Sequence, residues 1–213
     1  MKVKICGITN IEDANIAVEL GADALGFIFV RSSPRYIAPS DAQKIIQKLD
    51  PFIVSVGVFA DTPREEIYKT IEQTGISCVQ LHGNELPGQV SNYPLPVYKS
   101  FRVDKYFMLD TLQKYKGVAY LLDTFVDGAL GGTGKTFDWS IAVAAKEYGR
   151  IILAGGLNPD NISEAVGIVQ PYAVDINSGV ESAPGIKDRK KLEHLFDNIR
   201  QFQNGVKKEE MGK

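Results

Sequence analysis

Short apolar runs alternate with amphipathic or capped stretches from one end of the chain to the other. The runs fall near residues 2–6, 24–29, 53–59, 77–81, 96–101, 118–123, 150–154 and 172–176 and read as strands. The stretches near 11–20, 41–49, 64–74, 85–91, 104–115, 138–147, 160–168 and 187–203 read as helices. The order is strand then helix, eight times over, with no linker rich in Pro, Gly or Ser between halves. Eight such units with short connections predict a single-domain α/β protein, a closed (β/α)₈ TIM barrel rather than an open doubly wound sheet. The barrel is expected over residues 1–203, with the polar segment 204–213 as a frayed tail.

Helix boundaries carry local signatures. Thr9-Asn10-Ile11-Glu12, Ser40-Asp41-Ala42-Gln43 and Thr62-Pro63-Arg64-Glu65 each fit a capping box, with Pro63 at a first helical position. Asn158-Pro159 repeats the cap-then-proline order, and Gly21 and Gly75 fall where left-handed C-caps are expected.

Composition narrows the partners. With a net charge of −2, 44% hydrophobic and 23% charged residues, the chain has no basic field to draw it to nucleic acid or anionic lipid. No apolar run is long enough to span a bilayer, and Met1-Lys2-Val3-Lys4 enters a strand without a signal-peptide core, so a cytoplasmic setting is expected. The two cysteines, Cys6 and Cys78, form no metal-spaced cluster, and one histidine near the active face is too few for a multi-histidine metal site.

A barrel of this kind does its chemistry at the C-terminal ends of its strands. There the sequence offers Cys6, Arg31 and Arg35, Asp61, Gln80 with His82, Arg102, Asp123, Gly155-Gly156, and Asp175 with Ser178-Gly179. Two glycine turns on consecutive strand ends suit a phosphate, because bare backbone lets N–H groups crowd around an anion. Cys6 is either a small buried hydrophobe or, beside cationic groups, a thiolate of lowered pKa. Asp123 ends an apolar strand and is therefore either paired or functional; partial burial favours its protonated form and a general-acid role. His82 either orients a loop or meets a ligand. Cys78 reads as core and His194 as surface. Lys4 shares the interior face with Cys6, and closing the barrel brings strand 8 beside strand 1, so Lys4 is expected to pair with Asp175. Gly134-Lys135-Thr136 is no P-loop, because the spacing needs a glycine at 129 and Ala129 is there. The glycine-rich stretch around it, with Gly132, Gly134 and Lys135, reads as a lid or as a plain flexible loop.

Taken together, several motifs resemble the phosphoribosylanthranilate isomerase family. They are Lys4-Ile5-Cys6-Gly7-Ile8-Thr9, Gly26-Phe27-Ile28-Phe29, Ser33-Pro34-Arg35-Tyr36-Ile37, Val79-Gln80-Leu81-His82-Gly83, Leu122-Asp123-Thr124, Gly132 through Trp139, Ala154-Gly155-Gly156-Leu157 and Val174 through Glu181. They cover nearly the whole chain in the right order. The resemblance implies an Amadori rearrangement of N-(5-phosphoribosyl)anthranilate, with no metal or organic cofactor. It implies Asp123 as general acid, Cys6 as general base, Arg35 as holder of the anthranilate carboxylate, and the Gly155-Gly156 and Ser178-Gly179 turns, with Gly132 and Gly134, as the phosphate site. Gln80, His82 and Asp175 are further pocket residues. The partner is a small phosphorylated substrate, and the enzyme is a monomer or homodimer. A related ribotide isomerase would carry an aspartate where Cys6 stands, and a barrel that only binds a phosphorylated ligand would need neither Cys6 nor Asp123.

Overall fold

The computed structural model describes residues 1–104, 106–115, 119–123 and 139–211, with side chains as far as Gly205. Eight parallel strands close on themselves: β1 (Lys2–Cys6), β2 (Ala24–Ile28), β3 (Val54–Phe59), β4 (Cys78–Leu81), β5 (Val97–Arg102), β6 (Tyr120–Asp123), β7 (Ile151–Ala154) and β8 (Ala173–Ile176). The seam is the parallel pairing of β1 with β8, which sets Lys4 beside Asp175.

Strands of a closed parallel sheet are covered on both faces, which is why they read as continuous apolar runs. Alternate residues nevertheless divide between two compartments. Ile5, Leu25, Phe27, Phe59, Leu81, Leu122, Leu153 and Val174 pack outward with the helices, in one cluster that includes Ala14, Ile67, Ala142 and Leu195. Val56, Cys78, Tyr98, Leu121 and Ile152 fill the barrel, and Cys6, Ile28 and Val58 form a smaller group.

Six α-helices are formed among the described residues: α1 (Ile11–Leu20), α2 (Pro39–Ile46), α3 (Arg64–Thr74), α4 (Ser140–Ala145), α5 (Ile162–Val169) and α6 (Arg189–Met211). The helices expected over 85–91 and 104–115 are instead 3-10 turns, Pro87–Gln89 and Leu109–Lys114. Pro87 keeps Leu86 before it extended, and Asp104 ties down the Tyr106 N–H in a turn. The last helix runs to Met211, through most of the stretch expected to fray.

The capping boxes also shift. Asn10, not Thr9, caps α1, accepting from the Asp13 N–H at 2.8 Å, while the Thr9 hydroxyl donates to the Gly185 carbonyl. α2 starts at Pro39, ahead of Ser40, and the Thr62 hydroxyl bonds the Ala60 carbonyl rather than capping α3. Gly21 and Gly75 do take the left-handed C-cap conformation.

One element has no counterpart in the sequence reading. A short antiparallel hairpin, β9 (Glu181–Ala183) and β10 (Ile186–Lys187), precedes α6 and turns at Pro184-Gly185.

Candidate active site

A cavity of about 340 Å³ opens at the C-terminal ends of the strands. Cys6, Gln80, His82, Asp123, Gly155, Gly156, Asp175 and Ser178 all line it, beside Ile28, Val30, Val58 and Leu157. It therefore has an apolar wall and a polar arc, the usual make-up of a small-molecule site.

β1 delivers Cys6 to this cavity from inside the barrel, where it is buried. Gly26 stands opposite in register. A Cβ at Gly26 would come within 2.6 Å of the Cys6 sulfur and 3.0 Å of the Lys4 ammonium, so the glycine makes the space both groups occupy. Lys4 donates to Asp175 Oδ2 at 2.7 Å, as the alternation along β1 predicts. Burial works against the Lys4 charge, but Asp175 overrides it and holds the ammonium above its ordinary pKa. Of the two readings left open for Cys6, the structure favours the buried thiol. Burial pushes its pKa up, Lys4 and Lys187 pull it down, and Asp175 pushes it up again; the net is above the ordinary thiol value, not below it. Asp175 Oδ1 is the one buried side-chain polar atom without a hydrogen-bond partner among the described residues, and its residue faces the cavity. A buried carboxylate oxygen left this way is a ready acceptor for a ligand hydroxyl.

Across the barrel, β6 delivers Asp123. Leu121 faces inward and Leu122 outward, so alternation turns Asp123 inward again. Its Oδ2 lies 3.3 Å from His82 Nε2. A polar chain stands behind it. The Tyr98 hydroxyl donates to Gln80 Oε1 at 2.9 Å, and the Gln80 amide nitrogen lies 2.9 Å from His82 Nδ1. These partners put the proton of the neutral ring on Nε2, toward Asp123. Tyr98 was missed in the sequence. Its signal is register, because it pairs with Gln80 across β4 and β5.

The turn after β7 has Gly155 and Gly156 at φ +86° and +66°, a conformation that favours glycine. Asn158 and Asn161 both grip the Gly156 carbonyl, at 3.1 and 3.0 Å. After β8, Ser178–Val180 forms a 3-10 turn whose Gly179 is pressed against the Leu157 carbonyl, leaving no room for a side chain. The two turns thus pack together. The N–H groups that open the Ser178–Val180 turn are of the kind that a helical turn leaves without a partner of its own.

Arg35 and Gly179 do not line the cavity itself. The stem of Arg35 passes beside Gly7, next to Cys6, and its guanidinium grips Glu181 through Nε at 2.9 and 3.0 Å and Nη2 at 2.7 Å. Glu181 also accepts from Lys187 Nζ at 2.9 Å. Burial opposes the Glu181 charge, yet Arg35 and Lys187 hold its pKa below the ordinary value. The other strand-end candidates lie elsewhere. Arg31 sits over the Tyr36 ring, Asp61 accepts the Asn84 N–H, and Arg102 lines a neighbouring cleft with Lys99 and Glu85. Cys78 is buried in the barrel, bonded to the Pro96 carbonyl. Gly132, Gly134 and Lys135 lie outside the described residues.

Known proteins resemble this chain in sequence and in fold. The sequence profile described as "N-(5'phosphoribosyl)anthranilate (PRA) isomerase" matches residues 3–198. The N-(5'-phosphoribosyl)anthranilate isomerase of Geobacter sp. (strain M21) is 53% identical over 191 residues, covering 90% of this chain and 94% of that protein. The crystal structure of phosphoribosyl anthranilate isomerase from Thermotoga maritima superposes with a TM-score of 0.86 at 40% identity, covering 94% of this chain and 99% of that one. A further isomerase structure holds reduced 1-(o-carboxyphenylamino)-1-deoxyribulose 5-phosphate. It superposes with a TM-score of 0.84 at 38% identity over 94% of this chain and 99% of its own. A closed eight-stranded parallel barrel, a thiol and a carboxyl facing one cavity, and a match across nearly the whole chain lead to one assignment: the protein belongs to the N-(5'-phosphoribosyl)anthranilate isomerase family.

Proposed function

We propose that this chain isomerises N-(5'-phosphoribosyl)anthranilate to 1-(2-carboxyphenylamino)-1-deoxyribulose 5-phosphate, with Asp123 as general acid and Cys6 as general base. The observation that carries the reading is that β1 and β6, which are not neighbours, turn a thiol and a carboxyl into the same cavity. A ring opening followed by proton abstraction needs one group that gives a proton and another that takes one.

The steps balance without any external reagent. Asp123 gives its proton to the furanose ring oxygen. The bond from that oxygen to C1′ breaks, and the nitrogen lone pair forms the protonated Schiff base. The Cys6 thiolate removes the proton from C2′, and those electrons move to the iminium nitrogen, giving the enolamine. Return of a proton to C1′ and loss of one from the C2′ hydroxyl give the ketone. His82 holds one oxygen of Asp123 and so fixes the plane of the acid. Asp175 Oδ1 takes a sugar hydroxyl, the Gly155-Gly156 and Ser178-Gly179 turns take the phosphate, and Arg35 takes the anthranilate carboxylate.

The test is loss of anthranilate-substrate fluorescence, with substrate generated in situ, for wild type beside Asp123→Asn. Turnover by wild type that falls at least ~100-fold in the variant supports the reading. Equal rates would remove Asp123 as the acid, and no turnover by folded wild type would remove the reaction.

A further inference from the structure

Arg35 is not held by the barrel. It is held by the hairpin that follows β8. Glu181 on β9 engages the Nε–Nη2 edge of the guanidinium with both carboxylate oxygens, and Nη1 makes no hydrogen bond among the described residues. A guanidinium is planar and rigid, so fixing one edge fixes the direction of the other. Glu181 is itself fixed. It is buried, accepts from the wholly buried Lys187 on β10, and accepts the Gly185 N–H at the hairpin turn at 3.2 Å. Lys187 is anchored in turn by the Asn177 carbonyl and side chain, at 3.3 and 3.2 Å. Two cations share one carboxylate here, which leaves one positive charge uncompensated beside the cavity mouth.

We propose that Glu181 is a positioning residue. From the β9–β10 hairpin it sets the plane of Arg35 so that the free guanidinium edge receives the substrate's carboxylate, which makes the hairpin a specificity element for an anionic aromatic amine. This rests on the proposed function, in which Arg35 holds that carboxylate. Glu181 touches no substrate atom and acts only through Arg35.

A double-mutant cycle tests it. Steady-state kinetics with phosphoribosylanthranilate should show KM raised on the order of tenfold by Glu181→Gln, with kcat changed less than about threefold, as expected for a lost charge-assisted contact that acts on binding. The same substitution in an Arg35→Ala background should leave KM where Arg35→Ala alone puts it. Phosphoribosylaniline, which lacks the carboxylate, should not distinguish Glu181→Gln from wild type. Because Glu181→Gln strips a buried ammonium of its partner, Glu181→Asp is run beside it. That variant keeps the charge for Lys187, shortens the reach to Arg35, and should reproduce the KM effect. A Glu181 effect that persists undiminished without Arg35, or that is equal on the carboxylate-free substrate, overturns the positioning role alone. No turnover by folded wild type, or an unchanged KM in Arg35→Ala, overturns the clamp and this proposal with it.

Discussion

A buried thiol gives up its proton reluctantly, and the neighbours of Cys6 only partly offset that. Lys4 and Lys187 favour the thiolate, while burial and Asp175 oppose it. A base works only once deprotonated, so a raised pKa moves the rising limb of the pH–rate profile to higher pH. The kcat/KM of wild type should still be climbing through pH ~8.5, the ordinary thiol value. In Cys6→Asp the limb should drop toward the carboxylate range. A limb that stays in place in Cys6→Asp would exclude Cys6 as the base. Cys6→Ala should lower kcat by roughly 10²–10⁴ with little change in KM, the usual scale for a general base. Gly26→Ala tests the space rather than the group. Its added Cβ would displace the sulfur and the Lys4 ammonium, so kcat should fall sharply while the circular-dichroism spectrum stays native. Whether Cys6 is core or base was left open by position, and its role comes only from the family resemblance, but the cavity-facing positions of Cys6 and Asp123, at the ends of apolar strands, were legible. The direction of the Cys6 shift was not, because it depends on how completely the surrounding barrel excludes water.

At the scale of elements, alternation along β1 and the closure of the ring were enough to place Lys4 against Asp175, and the pair forms at 2.7 Å with both partners buried. Breaking such a pair leaves a buried charge uncompensated, so Lys4→Met should cost about 3–5 kcal/mol in urea unfolding. Lys4→Met with Asp175→Leu should recover most of that loss; a double variant as unstable as the single would mean that packing, not charge, is at stake. Asn10→Ala should cost about 1 kcal/mol as a lost N-cap. The sequence pattern placed that cap one residue early because Thr9 and Asn10 are both good caps, and Thr9 is drawn away by the Gly185 carbonyl, more than 170 residues distant in sequence. The fourth and fifth helical stretches failed for a local reason, since Pro87 in one and an Asp104 turn in the other compete with a full helix. The hairpin at 181–187 did leave a trace, the Pro184-Gly185 turn, but its strands are too short for periodicity to register.

For the whole molecule, the eightfold strand-and-helix rhythm was sufficient to give the barrel, because each strand must be covered on both faces and only closure leaves no edge. The seam between β1 and β8 is expected to set when the enzyme begins to work. Cys6 stands on the first strand, while Asp175 and the second glycine turn stand on or just after the last. Every contact between them spans most of the chain, the kind of pairing whose loop-closure entropy is met late. A chain with its helices formed and its ring still open has the thiol but neither the charge partner of Lys4 nor the second glycine turn. Recovery of catalysis after dilution from denaturant is then a clock for the last joint of the ring. It should lag the return of helical signal, and the product that first appears marks the moment the two ends of the chain meet.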